Sequence, residues 1–320
     1  MWDFDFGRAV GLMVQTLPYL IFRVIVYGAM AAAYVMVTGV GAGVGYGLGW
    51  IGGPDSQAGF AFWGGAIGFG LTATAIYLAR EYLLYTVKAG HIAVLVELMD
   101  GRDLPDGQGQ ITYGAGVVKE RFVQSSVLFG LDQLVKGVIR AVSSLVEGVA
   151  AFLPIPGLSG LASLFRAFLK VAVGFVDEVI LAHAIRTRST NAWEAAREAL
   201  VLYGQNYQRM LKNAAIIAFF TYILAFIVFL VMLAPAAAIV YLMPGSWSFG
   251  GMVFAVVFAW AVKAAVLEPL ALTLMMQAYF KVTAGQIPDP EWDARLSELS
   301  GKFQEIKEKA LSGEASAAAQ

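Results

Sequence analysis

The chain has 320 residues, of which 59% are hydrophobic and 14% charged, with a formal net charge of -1 and no cysteine. Soluble domains carry about 25% charged residues, so an ordinary soluble globule is excluded. So are a disulfide framework, a thiolate metal site, a cysteine nucleophile and the basic footprint of a nucleic-acid binder.

The acidic, aromatic start Met1-Trp2-Asp3-Phe4-Asp5-Phe6 does not fit a signal peptide, which needs a basic n-region. The apolar stretch from Gly7 to Phe22, interrupted by Pro18 and closed by Arg23, reads as an interfacial helix, so residues 1–23 form the first segment. No charge follows from Val24 to Pro54, nor from Ser56 to Ala79. About 20 residues at 1.5 Å each cross a ~30 Å hydrocarbon core, so each run holds one span. Residues 24–88 form a transmembrane hairpin, ended by the anchor group Arg80, Glu81, Tyr82, Tyr85 and Lys88.

Glycines are patterned in these spans. Gly39, Gly43 and Gly47 fall on one helix face, and Gly41, Gly45 and Gly49 on a roughly opposite one. Gly64 and Gly68 repeat the spacing in the second span. Small residues four apart let helix backbones approach closely in lipid. Two such faces predict two neighbours, one of them from another subunit. Val44-Gly45-Tyr46-Gly47 also matches the end of a potassium-channel filter. Gly43 stands where that filter has threonine, and too little chain precedes it, so these glycines read as packing positions.

Residues 89–211 read as a cytoplasmic-side amphipathic region. Pro105-Asp106-Gly107 is turn chemistry. Asp100, Asp103 and Asp106 lack the spacing of a calcium loop and read as turn formers. From Lys119 to Arg188 two amphipathic patterns meet in a hairpin. Its turn is Pro154, Pro156 and Gly157, and its tip is uncharged from Gly148 to Phe165. One arm carries Asp132, Lys136, Arg140 and Glu147 on a stripe, and the other Arg166, Lys170 and Asp177. The hairpin either lies flat in the headgroup region or dips in and returns, its stripes lining an aqueous path. Asn191 with Glu194 predicts an N-cap and a polar helix to about Gln208.

The uncharged run from Asn213 to Val262 is too long for one span. It divides at Met243-Pro244-Gly245-Ser246 into spans near 214–242 and 249–273, the first kinked at Pro235. Residues 212–282 are thus a second transmembrane hairpin. Lys263 and Glu268 lie within its last span, where ionisable groups are candidate sites by default. The alternative is that they snorkel to the headgroups. Residues 283–320 form a tail with one charged helix, about Glu291 to Leu311, apolar at Trp292, Leu296, Leu299, Phe303 and Ile306, before a disordered end. The short loops near Pro54 and Ser246 hold no Lys or Arg. The positive-inside rule therefore puts both termini and the 80–211 region on the cytoplasmic side of a plasma (inner) membrane.

No catalytic motif appears. His91 and His183 have no ligand-spaced partner, so no metal site or cofactor is expected, nor an enzyme. Within Phe175 to Arg209, the residues Ala184-Ile185, Ala195-Ala196, Ala199-Leu200, Asn206 and Arg209 are followed by two spans and a tail. That arrangement resembles the C-terminal membrane region of the choline transporter-like family, over about residues 160–300. The resemblance implies transport and carries over no substrate-site residue.

The expected fold is an all-α polytopic membrane protein with four transmembrane helices, a long amphipathic or re-entrant helical hairpin and cytoplasmic-side helices. The expected function is an oligomeric channel or transporter for a small solute or ion. Lys263, Glu268, Asp132, Lys136, Arg140, Lys170 and Asp177 would line its path, with the lipid bilayer and further copies of the chain as partners. The alternative is a membrane scaffold that binds lipid headgroups or partner proteins through its amphipathic helices. A deeply placed hairpin tip favours the first, and a surface-lying one the second.

Overall fold

The computed structural model describes residues 2–79, 84–105, 108–121, 134–135, 137–138, 176–189, 191–241 and 248–318. The hairpin turn at Pro154, Pro156 and Gly157 and the stripe residues Asp132, Lys136, Arg140 and Lys170 lie outside these residues. Among the described residues every regular element is helical. The chain forms two compact units. Unit 1 comprises Met1–Thr16, Thr86–Phe220 and Leu270–Gln320, and unit 2 comprises Leu17–Tyr85 and Thr221–Pro269.

The first helix, α1 (Phe6–Gln15), is capped by the Asp5 carboxylate, which accepts from the Arg8 amide. It does not continue to Phe22 as the apolar pattern predicts. It stops at Thr16, whose hydroxyl donates back to the Leu12 carbonyl at 2.9 Å. A new helix, α2 (Leu17–Gly49), then carries Pro18 in its first turn. A missing N–H is harmless there and would break the ladder deeper in a helix. Two short 3-10 turns, Trp50–Gly52 and Pro54–Ser56, lead into α3 (Gln57–Ala79).

Packing of α2 on α3 builds much of unit 2, and the glycines explain its closeness. A Cβ on Gly41 would come 3.0 Å from the Gly64 carbonyl carbon, and one on Gly45 would come 2.8 Å from that of Phe60. One on Gly68 would meet the Val37 carbonyl carbon at 3.1 Å. The Gly41/Gly45/Gly49 face is therefore the contact face. Gly43 and Gly47, opposite, have nothing within 4 Å of an added Cβ, so they pack against no part of the described chain. Gly39, on the same face, is half-buried.

The remaining helices are α4 (Tyr85–Met99), α5 (Gln110–Arg121), α6 (Val176–Arg186), α7 (Ala192–Gln205), α8 (Tyr207–Tyr241), α9 (Ser248–Val262), α10 (Glu268–Val282), α11 (Pro290–Leu299) and α12 (Gly301–Ala318). A π-turn, Lys263–Leu267, joins α9 to α10. Within unit 1, α4 is the central helix. Its residues Ala89 to Val96 are buried on every side, His91 included, as expected of a helix in the middle of a core.

Asn191 caps α7 as the sequence predicts, accepting from the Trp193 and Glu194 amides at 3.1 and 3.2 Å. Glu194 does not reach back to it but pairs with Arg197 at 2.9 Å. Nor is α7 polar, since Ala195, Ala196, Ala199, Leu200 and Tyr203 are all buried. The tail is two helices, α11 and α12, that fold back on α7. Leu296, Phe303, Ile306 and Ala310 are fully covered, while Leu299, expected inside, is 36% exposed. The chain turns at Ser300, in extended backbone, and this changes the face that follows. The helix continues to Ala318, where disorder after Leu311 is expected from composition. In the first hairpin arm, Leu134, Val135 and Val138 are covered by protein, and Gly137 lies against the Lys302 side chain.

Among the described residues, four stretches are long and apolar enough to cross a membrane: Leu17–Gly52, Gln57–Leu78, Tyr207–Tyr241 and Gly251–Val282. Their outward side chains are apolar, among them Met36, Val40, Ile67, Leu71, Phe226 and Val231, all more than half exposed. A soluble monomer rarely shows an apolar surface of this extent.

Candidate ionic site in the spans

The charges inside the apolar helices of unit 2 converge where Pro269 disturbs α10. In a regular α-helix the Glu268 amide would donate to Ala264. Here it donates to the Lys263 carbonyl, one residue further back, closing the π-turn. Pro269 has no N–H to offer. The Ala264 carbonyl is thereby left without a backbone donor in its own helix. Arg23 of α2 supplies one, its Nη2 standing 2.6 Å from that oxygen. An unsatisfied buried carbonyl costs about 1–3 kcal/mol, so the contact fastens α2 to the turn.

Arg23 is 1% exposed, and its guanidinium lies 5.6 Å from the centroid of the Tyr27 ring. Its Nε has no hydrogen-bond acceptor among the described residues. The sequence expectation that Arg23 closes an interfacial helix is corrected here. It sits six residues inside α2, fully covered.

The π-turn also pairs the two charged residues singled out in the last span. Residues five apart on an α-helix stand about 140° apart. A turn closed by i→i+5 bonds brings them back to nearly one side. Lys263 Nζ is accordingly 2.9 Å from Glu268 Oε1, with the side chains 28% and 20% exposed. The π-turn thus pairs Lys263 with Glu268 and, through the Ala264 carbonyl, holds Arg23.

Of the other candidates, Asp177 falls on α6 in unit 1. The polar clusters of unit 1 are tied into its own packing. Asp3 joins the Asn213 amide at 2.9 Å and Arg209 at 2.7 Å. Burial would raise its carboxyl, but these hydrogen bonds and the Arg209 charge outweigh it and hold the group below its ordinary value. Asp293 receives Arg197 at 2.6 Å and Lys307 at 3.2 Å, with the same balance and the same downward direction. Asp100 accepts from Arg186 at 2.7 Å and Arg102 at 3.0 Å, so it does more than form a turn.

His183 of α6 contacts the Tyr279 hydroxyl through Nδ1 at 3.2 Å. Burial, and then the nearby Arg186, pull its pKa down to about 4. Glu198 Oε2 stands 3.8 Å from its Nε2, too far for a hydrogen bond. Burial pushes the Glu198 carboxyl up as well. His183 is therefore neutral at physiological pH. Among the described residues no group of three His, Asp or Glu could hold a metal ion.

The Ala and Leu residues that carry the choline transporter-like resemblance lie in the buried contact of α6 with α7. They are buried in helix packing. The chain matches no protein-family model, no curated protein and no solved structure.

Proposed function

We propose that the chain is a polytopic protein of the plasma (inner) membrane that moves a small solute or ion across the bilayer as a homo-oligomer, with both termini cytoplasmic. The observation that carries this reading is the Lys263–Glu268 ion pair across a π-turn inside apolar helices, with Arg23 of α2 bound to the same turn. Ionisable groups within spans are costly and occur mainly on transport routes, and π-turns are frequent at functional sites. The distribution of Lys and Arg along the chain supports the orientation. The unoccupied Gly43 and Gly47 face supports a subunit contact. The likeness of the C-terminal half to choline transporter-like proteins points the same way.

The test is flux in liposomes containing the purified full chain, with chloride, potassium and protons as probes. We expect one of them to pass, and Lys263→Leu to abolish the flux while expression and helix content stay normal. A chain that reconstitutes as a folded oligomer yet passes none of the three removes the transport reading and favours the scaffold.

A further inference from the structure

We propose that residues 2–5 form a strap that closes a polar seam between α8 and α10 within unit 1, and that lifting the strap admits water to the seam. It rests on the transport reading only for what the seam would carry, and its test does not depend on flux. Both helices belong to stretches apolar enough to cross a membrane, yet each carries a polar stripe where it lies in unit 1. On α8, Arg209 and Asn213 are four apart, and Asn213 is fully buried. On α10, Thr273, Gln277 and Lys281 are spaced by four, with Thr273 fully buried and Gln277 nearly so. Residues four apart share a helix face.

Polar side chains between helices in lipid ordinarily bond across the contact and act as glue. Asn213 and Gln277 bond to the strap instead. The Asp3 amide donates to Asn213 Oδ1 at 2.8 Å, and Asn213 Nδ2 donates back to the Asp3 carboxylate at 2.9 Å. The Asp5 amide donates to Gln277 Oε1 at 2.9 Å. Two residues of extended chain span at most about 7 Å, so both side chains reach the same short segment. Arg209 adds a contact of 2.7 Å to Asp3, and Lys281 is near enough to attract the same carboxylate.

The strap is held lightly. None of residues 2–8 is buried, whereas Ala9, Leu12 and Met13 anchor α1 behind it. Trp2 and Phe4 stack on each other at 5.7 Å rather than entering the core. Docking also leaves Gln277 Nε2 buried, with no acceptor among the described residues. A buried donor without a partner costs about as much as one or two neutral hydrogen bonds contribute, so it offsets the bond from Asp5. Water entering beneath a lifted strap satisfies that donor. The Asp5 side chain caps α1, and its carbonyl accepts from the Ala9 amide at 3.1 Å. Neither contact involves the Asp5 amide, so the strap lifts from the seam without unwinding α1.

The chain has no cysteine, so Thr273→Cys, one turn from Gln277, is a single reporter of water in the seam. The full chain carrying it is placed in phosphatidylcholine nanodiscs and reacted with a small water-soluble methanethiosulfonate. We expect slow labelling with the native strap. Asp3→Ala should speed it at least about tenfold, the effect of losing one charge-assisted hydrogen bond. Asp3→Asn, which keeps its reach to Asn213 without the charge, should give a smaller rise. Ala196→Cys, buried in α7, reports loosening of unit 1 as a whole and should label equally slowly with and without Asp3→Ala. An unchanged rate at Thr273→Cys, or an equal rise at Ala196→Cys, would overturn the proposal. Strap-dependent labelling in a chain that passes no ion would support the strap while removing the transport reading.

Discussion

If the Ala264 carbonyl lacks a backbone donor because of Pro269, then Arg23 and Pro269 must be energetically coupled. Arg23→Leu leaves the carbonyl unsatisfied, a penalty of about 1–3 kcal/mol. It also removes an ionised group whose place in a span costs about 2.5–3.5 kcal/mol on insertion scales. These nearly cancel, so the single substitution has no diagnostic sign. The cycle with Pro269→Ala does. That substitution restores an N–H, the turn can close in α-helical register, and Glu268 can then donate to Ala264. Arg23→Leu then incurs no carbonyl penalty. We expect it to be about 1–3 kcal/mol more favourable in the Pro269→Ala background than in the native one. Reversible unfolding in mixed dodecyl maltoside and SDS micelles, read by circular dichroism, measures all four corners. Additivity to within about 0.5 kcal/mol would refute the account. In the same variant the loss of the π-turn should separate Lys263 from Glu268, now 2.9 Å apart.

The two glycine faces of α2 should respond oppositely. Gly45→Ala drives a Cβ against the Phe60 carbonyl and should destabilise by about 1–3 kcal/mol, less a propensity gain of about 1 kcal/mol. Gly43→Ala meets nothing and should be neutral or stabilising in the same unfolding assay, whereas Gly43→Leu should lower the oligomer mass in detergent if that face joins subunits. Acid should weaken unit 1 in two stages. His183 has a folded pKa of about 4 against an ordinary 6.5. An unfolded chain therefore takes up a proton that the folded one refuses. Stability is full above 6.5 and falls towards pH 4, by about 2 kcal/mol at pH 5. Asp3 and Asp293, held below their ordinary value, contribute stability above that value and lose it only as pH falls further. His183→Phe should abolish the first stage of a pH-dependent melting series and leave the second.

The large features were legible in the sequence because they are properties of contiguous residues. Charge-free runs located all four apolar helices, small residues four apart located the α2–α3 contact face, and Asn191 located a helix start. Lys263 and Glu268 stood out as charges in an apolar run, though the i+5 spacing next to Pro269 was the available sign that they pair. Arg23 was missed because its partner is a backbone atom 241 residues away, released only by the π-turn. Nothing local distinguishes such an arginine from an anchor at a membrane surface. The central position of α4 was hidden for a related reason. Its His91, Glu97 and short apolar stretch resemble a surface helix until the neighbours that cover it are known. The break at Ser300 shows the complement, where one extended residue shifts the apolar face and leaves Leu299 outside.

The threading of unit 1 has a consequence for biosynthesis. Its contacts join Asp3 to Asn213 across 210 residues and Asn191 to Ala310 across 119. Leu296, Phe303, Ile306 and Ala310 supply core that α7 cannot find earlier in the chain. A ribosome therefore delivers the four apolar helices before the last pieces of this core exist, and the side of α7 that α11 and α12 cover stays open until the tail emerges. Contacts of such long sequence separation form late. During that interval the nascent chain presents to chaperones and proteases the surface that the C-terminal helices later hide.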